Sequence, residues 1–439
     1  MRFFFTKNRL APDLLKTLQT LIDLHHIITN VYKFIESDYH SQSDPARRMQ
    51  IIMKNSIVMR LLVTGLACLL SSPAALADTF PVTVTDVAGR TITIDHEPNN
   101  IAISTGRVFP LLDIVYQQDA AAHLVAWRDD MRTSAPSMYA SYVKDYPKLK
   151  NIAQLGKIKS GEFDAERFIQ MKDKPDLFIV DIVNVKLAEE EGLFDKLERA
   201  GIKVLVVDFR ENPLKNTVQS VTSVATAVGR HEQGQKFAAY YQKHLDNLLA
   251  GLAKVPASEL NKKVFIERSA GKRESCCETF SAGNMGDYVP FLKAVNIADK
   301  PLKGAFSGNM SAESLIIAQP DIYIMQTTGW VDKNGDPKAG IPLGYNPNKD
   351  AIKSATNKLL QRTWMRPTPA YQNKQVYSIY MPFYNSPYNL VALEYFAKWF
   401  YPKQFKDLNP EQTFEEMNQT LANRTVTGIF GQDNFKVIQ

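Results

Sequence analysis

The sequence has 439 residues, 45% of them hydrophobic and 22% charged, which is the composition of a chain that can bury sizeable cores. The formal net charge is +6, and residues 1–77 supply four of these charges, with nine Lys or Arg against five Asp or Glu. The rest of the chain therefore carries only about +2, which excludes the broad basic surface of a nucleic-acid-binding protein.

The first 77 residues contain an export signal that does not stand at the start of the chain. A positively charged stretch is followed by a short apolar run at 57–70, and residues 75–77 have the small-x-small pattern of a signal-peptidase site. We predict a signal peptide at 53–77, cleaved after Ala77, and a soluble exported protein. Residues 1–52 are interpreted as an extension from an upstream start codon; the alternative is a cytoplasmic helix anchored by the apolar run.

Strand and helix patterns alternate from residue 82 onward. A hairpin is predicted at 82–94, and a first α/β unit follows it, with strands at 101–103, 124–127, 177–180 and 203–208 and helices at 108–116, 137–146, 164–171 and 186–200. Strands that alternate with helices indicate a mostly parallel sheet covered on both faces.

Residues 213–255 have the pattern of two successive amphipathic helices. Pro213 suits the first helical position, Gly229 can end the first helix, and Pro256 stops the pattern of the second. We expect the first helix to pack on the preceding α/β unit and the second to cross to another lobe.

The α/β pattern restarts after Pro256. Strands are predicted at 263–268, 322–325 and 376–380, and helices at 287–295, 311–318, 350–361, 390–401 and 410–421, the last two closing the chain. The predicted fold is therefore α/β, with two lobes of mostly parallel sheet joined by a single long backbone helix. The predicted domains are an N-terminal lobe at 78–230, the connecting helix at 231–255 and a C-terminal lobe at 256–439.

A repeated motif relates the two lobes. Residues 163–169 and 310–316 each indicate a capped short helix with a glutamate in its first turn, Glu166 or Glu313, and each is followed by Pro-Asp and a buried strand. With the Asp-Val-Ala-Gly-Arg turn at 86–90 and the strand-turn-helix at 101–116, this repeat resembles the class III periplasmic substrate-binding proteins. That family serves importers of ferric siderophores, haem and cobalamin, and the resemblance covers essentially all of 80–402.

The resemblance implies a periplasmic carrier with a ligand cleft between two lobes. We expect the protein to be a monomer and not an enzyme. It also implies docking on an inner-membrane ABC permease through Glu166 and Glu313, one on each lobe. The alternative for either glutamate is simple support of its own helix dipole.

Ligand-binding residues are expected at the carboxyl ends of the strands, where open α/β sheets bind ligands. Arginines and aromatic residues follow these strands: Arg107, Trp127 and Arg128 in the first lobe, with Arg132 and Arg210 as further candidates, and Arg268, Arg273, Trp330 and Tyr384 in the second, with Lys272 and Tyr380 as further candidates. Guanidinium groups pair with oxyanions and stack on flat rings, which favours an anionic chelate with such rings. The alternatives are solvated surface charges for the arginines and core packing for the tryptophans.

The predicted function is capture of a ferric siderophore and its delivery to the permease, with haem or cobalamin as alternatives within the same class. No cofactor is expected, because the iron would arrive already chelated, and the four scattered histidines of 78–439 predict no zinc site. Cys276 and Cys277 are adjacent and can form a vicinal disulfide. In the alternative from another class, they are the reactive pair of an exported redox or metal-cluster protein.

Overall fold

Two α/β lobes, each built on its own sheet, make up the part of the chain that the computed structural model describes, residues 79–439. The predictions of an upstream extension at 1–52 and a signal peptide at 53–77 fall outside the described residues and stay predictions. The two lobes belong to one compact unit.

The first lobe contains a two-stranded hairpin and a five-stranded sheet. Its elements are β1 (Val82–Thr85), β2 (Thr91–Ile94), β3 (Ile101–Ile103), α1 (Phe109–Tyr116), α2 (Ala120–His123), β4 (Leu124–Trp127), α3 (Met131–Ser134), α4 (Pro136–Asp145), β5 (Ala153–Gln154), α5 (Ala165–Ile169), β6 (Leu177–Asp181), α6 (Val185–Glu190), α7 (Leu193–Arg199) and β7 (Lys203–Val207). The sheet is entirely parallel, in the order β5-β4-β3-β6-β7. All five residues of β6 are buried, as expected for a central strand with helices on both faces.

One predicted helix of this lobe is interrupted. The pattern at 186–200 predicts a continuous helix, but Gly192 adopts φ +62° and separates α6 from α7. Only glycine takes this left-handed conformation without steric cost, so the chain can turn there between two short helices.

Two helices follow the first lobe, α8 (Pro213–Ala227) and α9 (His231–Leu252). Gly229, at φ +68°, makes the turn between them. Gly234 allows them to pack closely, because a Cβ atom at this position would lie only 2.8 Å from the Ala225 Cβ. At about 1.5 Å per residue, the 22 residues of α9 extend over roughly 33 Å.

The second lobe has a seven-stranded mixed sheet. Its elements are β8 (Lys263–Glu267), β9 (Glu278–Phe280), α10 (Tyr288–Phe291), β10 (Val295–Asn296), α11 (Asp299–Leu302), β11 (Ser307–Asn309), α12 (Ala312–Ala318), β12 (Ile322–Thr327), β13 (Trp330–Val331), β14 (Pro337–Ala339), β15 (Gly344–Tyr345), α13 (Lys349–Leu360), α14 (Pro369–Gln372), β16 (Val376–Tyr380), α15 (Asn389–Phe400), α16 (Pro410–Leu421), β17 (Gly428–Ile429), β18 (Gly431–Asp433) and α17 (Asn434–Val437). The sheet order is β11-β9-β8-β12-β16-β18, with β10 beside β8. The central strands β8, β12 and β16 are parallel.

The end of the chain differs from the prediction that two helices close it. After α16 the chain returns to the sheet as β18, which pairs antiparallel with β16, and it then forms α17. A three-residue strand has too short a pattern to be recognised, and its partner lies about 50 residues earlier in the sequence.

Helix α9 contacts both lobes. The Gln233 side-chain amide donates one hydrogen bond to the Ile114 carbonyl of the first lobe, at 2.9 Å, and one to the Leu421 carbonyl of the second, at 2.7 Å. The Tyr241 hydroxyl donates to the Asn389 side-chain oxygen of α15 at 2.9 Å. A single cluster of buried apolar residues includes Ile103 of the first sheet and Ile324 of the second.

The segment after α16 is tied back to the first lobe by Arg424. Its guanidinium lies 3.3 Å from a carboxylate oxygen of Asp113 and 2.6 Å from one of Asp145, and its charge lies 4.0 Å from the centroid of the Tyr142 ring. Asp113 is fully buried, and burial raises its pKa to about 7, although Arg424 and the Tyr146 hydroxyl both act to lower it. This ion pair therefore fixes the C-terminal segment against the first lobe.

Candidate functional site

A cavity of about 420 Å³ lies where the strands of both sheets end. Residues from the two lobes line it: Ser104, Thr105, Arg107, Arg128, Ser134, Lys157, Lys159, Asp181, Val183, Asn184, Arg210, Arg268, Ser269, Lys272, Trp330, Met381 and Tyr384. Many of them lie just beyond a strand: Arg128 and Arg268 directly follow β4 and β8, and Arg107 lies in the turn after β3. The placement follows the rule that open α/β sheets bind ligands beyond the carboxyl ends of their strands.

The lining of this cavity is strongly basic. Among the described residues that form it, seven are Lys or Arg and one, Asp181, is acidic. Cations come from both lobes, with Arg268 and Lys272 on the second. Lys and Arg side chains that converge in a confined space raise the local positive potential, even though the whole chain carries little net charge.

Asp130 orients the arginines of the first lobe. Its carboxylate accepts hydrogen bonds from the Thr105 hydroxyl and the Gly106 amide, both at 2.9 Å, and from the Arg107 Nε at 2.7 Å. It also lies 3.3 Å from the Arg128 guanidinium. Burial opposes ionisation of Asp130, but the charges of Arg107 and Arg128 outweigh it and hold its pKa below the usual value. Asp130 therefore remains an anion and keeps both arginines in place.

Arg107 also connects the two lobes through Tyr384. Its Nη1 donates a hydrogen bond to the Tyr384 hydroxyl, and the guanidinium carbon lies 5.1 Å from the centroid of the Tyr384 ring. The Arg210 guanidinium lies 5.5 Å from the same centroid. Burial acts to raise the pKa of the Tyr384 phenol, but the two nearby arginine charges outweigh it and lower that pKa below its ordinary value. A ligand anion in the cavity would thus meet arginines that an aromatic ring already positions.

Asp181 provides a second polar connection between the lobes. Its carboxylate accepts a hydrogen bond from the Asn385 side-chain amide of the second lobe at 3.0 Å, and its backbone amide donates to the Ser104 hydroxyl at 2.9 Å. Burial raises the pKa of Asp181, against the opposing effect of Arg210. Asp181, the one acid among the described residues of the lining, therefore helps to hold the two lobes together.

In the second lobe, Arg268 and Lys272 face the cavity from the segment after β8. The Arg268 guanidinium lies 3.4 Å from the Glu278 carboxylate and 3.3 Å from the Ser307 hydroxyl. The Lys272 ammonium lies 5.7 Å from the centroid of the Trp330 ring, a cation–π arrangement.

The structure brings together five of the seven residues predicted to bind ligand: Arg107, Arg128, Arg268, Trp330 and Tyr384. Of the further candidates Arg210 and Lys272 also line the cavity, while Arg132 and Tyr380 are outside its described lining. Whether any of them contacts a ligand stays a prediction.

Two predicted residues lie elsewhere. Trp127 is fully buried, with its ring packed edge-to-face against Phe109 at 6.2 Å, so it belongs to the core. Its neighbour Arg128 points the other way because successive residues of a strand alternate sides. The Arg273 side chain is 63% exposed, lies 3.9 Å from Glu278 and is not part of the described cavity lining.

Sequence reasoning missed Lys157, Lys159 and Asp181. Asp181 is the last residue of β6, so the rule that placed the arginines could have found it. The two lysines flank Ile158 at the start of a short 3-10 helix, Ile158–Ser160, which follows β5. Strand β5 has only two residues, and so short a pattern cannot be recognised in the sequence.

Both glutamates of the repeated motif are exposed at the start of short helices. Glu166 of α5 is 68% exposed and lies 2.6 Å from the Lys196 ammonium. Glu313 of α12 follows Ser311, whose hydroxyl caps the helix by accepting from the Ser314 amide at 3.1 Å. A backbone amide and the Ser311 hydroxyl lower the pKa of Glu313, which therefore remains ionised.

Cys276 and Cys277 are bonded to each other in the turn that leads into β9. Neither is part of the described cavity lining, but Glu278, the next residue, holds Arg268. Within residues 79–439, no group of three or more His, Cys, Asp or Glu side chains is arranged to hold a metal ion. In the same range, no helix has the length and apolar character needed to cross a membrane.

The structure thus consists of two α/β lobes joined by helices, with a charged cavity between them. A sequence model described as periplasmic binding protein matches residues 114–381, more than half of the chain. The chain therefore belongs to the class III periplasmic binding proteins. A search of curated proteins finds no match.

Solved structures of similar fold come from several bacteria. They include the TroA-like periplasmic binding protein FepB from Veillonella parvula, with 21% identity, a TM-score of 0.70 and coverage of 80% of this chain and 99% of that one. CeuE from Helicobacter pylori, in complex with nickel and histidine, has 17% identity, a TM-score of 0.54 and coverage of 78% and 96%. MolA from Haemophilus influenzae, bound to molybdate, has 16% identity, a TM-score of 0.54 and coverage of 79% and 99%. At these identities the likeness shows the fold alone.

Family membership gives the general role. Proteins of this family are periplasmic, bind small ligands and work with an inner-membrane ABC permease, so they act in transport. The predictions of family and of a two-lobed α/β fold are confirmed. The ligand is a separate question, because the similar structures do not share one.

Proposed function

We propose that this protein captures an anionic ferric chelate of the siderophore type in the cavity between its lobes. The observation that carries the proposal is the charge of the lining, seven Lys or Arg against one acid among the described residues. Ferric catecholates and carboxylates present several oxyanions, which guanidinium groups bind through charge-assisted hydrogen bonds. Iron is then cargo that enters inside its chelate, and no resident cofactor is proposed.

The aromatic residues of the lining support the same ligand class. Tyr384 lies beside Arg107 and Trp330 beside Lys272, so each of these rings has a cation of the lining as its neighbour. Such a surface suits a ligand with both oxyanions and flat rings. Haem also combines oxyanions with a flat ring and remains the alternative ligand. The excess of cations in the lining disfavours cobalamin.

Ligand binding tests the proposal directly. Protein that begins at Asp78 is titrated with ferric complexes of catecholates, hydroxamates and citrate, and with haem and cobalamin, while tryptophan fluorescence is followed. We expect an anionic ferric chelate to bind with a Kd of about 1 μM or tighter. Arg107→Gln should weaken that binding at least about tenfold, since a charge-assisted hydrogen bond is lost, whereas Arg199→Gln, an exposed control on α7, should not. Absence of binding across all ferric chelates would refute the proposal.

We further propose that Glu166 and Glu313 dock the protein onto its permease. One exposed carboxylate on each lobe can meet a two-fold permease at two points, which fixes orientation more than affinity. Glu166→Lys and Glu313→Lys should each reduce uptake in cells while leaving the ligand Kd of the purified protein unchanged. Glu190→Lys is the matched control, an exposed glutamate of α6 outside the motif. Full uptake by the Glu166→Lys, Glu313→Lys double variant would exclude this role.

A further inference from the structure

A second cavity, which we call the apolar annex, lies beside the basic one and has the opposite character. It measures about 450 Å³, is partly open, and is lined by residues of the β13–β14 hairpin, helix α13 and the first turn of α4. Its wall is made mainly of Ala, Pro, Gly, Val and Leu, and among the described residues that form it only Lys338 is charged. Hollows of this size and composition are typical of the part of a site that receives hydrocarbon or ring.

The annex and the basic cavity adjoin each other. Trp330 lines both, so this residue is their common wall. On the side of the first lobe, Ser134 lines the basic cavity and Pro136 lines the annex. Lys272, on the basic side, has its ammonium 5.7 Å from the Trp330 ring centroid. The lining is therefore basic on one side of Trp330 and apolar on the other.

The common wall is fixed by its surroundings. Trp330 is only 4% exposed and pairs with Ala339 across the hairpin. Gly340 takes φ +82°, and a Cβ atom there would lie 2.6 Å from a carbon of the Trp330 ring, so the indole fits here because residue 340 has no side chain. The position of Trp330 between the two cavities is thus set by the packing of the hairpin.

From this arrangement we infer that the ligand is amphipathic, with an anionic chelating head in the basic cavity and an alkyl or aryl arm in the annex. The inference rests on the proposed function and narrows its ligand class. A wholly polar chelate would leave the apolar wall exposed to water, whereas an arm of hydrocarbon would remove it from water with a favourable free energy. A free hydrocarbon would gain nothing from the adjoining cations.

The test compares probes that differ only in the arm. Isothermal titration measures the ferric complex of a synthetic tris-catecholamide with and without one hexyl arm, and benzenesulfonate against para-hexylbenzenesulfonate as an iron-free pair. Full burial of one methylene corresponds to about a fourfold gain in affinity. Since the annex is partly open, we expect the hexyl arm to strengthen binding at least about tenfold.

Filling the annex supplies the control. Ala351 lines the annex and is exposed on α13, so Ala351→Phe should fold, occupy the annex and abolish the gain from the arm without changing the affinity for the armless chelate. Ala355→Leu is a second filling variant. Ser354→Phe, on the same helix but outside the described lining, should keep the gain.

The outcomes separate the two proposals. If the armless chelate binds and the arm adds nothing, or if its gain survives Ala351→Phe, the annex inference is overturned and the proposed function stands. If no ferric chelate binds but the hexyl sulfonate shows a gain that Ala351→Phe removes, the proposed function and the chelating head fall, and the apolar arm in the annex stands. If the hexyl arm changes the affinity of neither the chelate nor the sulfonate, the inference is overturned.

Discussion

Replacing Arg424 with Met should destabilise the protein in a manner that depends on pH. Arg424 is 3% exposed and its partner Asp113 is fully buried, so the variant leaves a buried carboxylate without its counter-ion. Loss of one partner of a buried pair costs about 3–5 kcal/mol. The carboxyl group can avoid this cost by taking up a proton, and it does so more readily at low pH.

The direction of the effect follows from the pKa of Asp113. Burial raises it to about 7 in the folded protein, above the ordinary value of 3.8. Between these two pKa values, Asp113 keeps a proton in the folded state that it has released in the unfolded state. The stabilisation from this proton is fully present below about pH 4 and is lost as the pH rises through about 7. Without Arg424 the pKa increases further, so between about pH 7 and pH 8 the cost of the variant should grow by up to about 1.4 kcal/mol per pH unit.

Urea unfolding, followed by tryptophan fluorescence, measures this effect. We expect the free energy of unfolding of Arg424→Met to fall below that of the unmodified protein by a clearly larger amount at about pH 8 than at about pH 5.5. In the Asp113→Asn background, Arg424→Met should show no such dependence. An equal loss of unfolding free energy at both pH values would refute the reasoning, because the destabilisation by Arg424→Met would then not depend on the ionisation of Asp113.

Two further substitutions test the site and the helix pair. Asp130→Asn should weaken binding of a ferric catecholate about tenfold, because it releases two arginines of the cavity, while Asp129→Asn, whose partner lies outside the described lining, should leave the Kd unchanged in the same titration. Gly234→Ala should lower the free energy of unfolding by about 1–3 kcal/mol, since its Cβ would collide with the neighbouring helix; urea unfolding of Gln235→Ala, an exposed change on the same helix, gives the baseline. Equal affinity in the Asp130 and Asp129 variants, or equal stability of the two helix variants, would contradict the respective argument.

Features of the fold and site that follow from a single local rule could be predicted from the sequence. Arg107, Arg128 and Arg268 each follow a strand that the hydrophobic pattern predicts, so their position at the edge of a sheet could be stated in advance. The helices α8 and α9 have continuous apolar stripes and end close to the predicted residues.

Features that depend on distant parts of the chain could not be predicted. Trp127 and Arg128 are neighbours in sequence, but which of them faces the core depends on where α1 packs. Arg424 binds Asp113, 311 residues away, and no local pattern connects them. The apolar annex requires a hairpin, a helix of one lobe and a turn of the other to meet, so its composition has meaning only after folding.

The apolar cluster that contains Ile103 and Ile324 has a practical consequence for dissecting the protein. Because that cluster belongs to both lobes, cutting the chain between them would expose core surface on each half, and neither half should be soluble as a separate domain. The two lobes should therefore melt in a single transition in calorimetry. A pair of fluorescent reporters, one on each half, would therefore report first that the two halves have assembled. It could report ligand binding only after that.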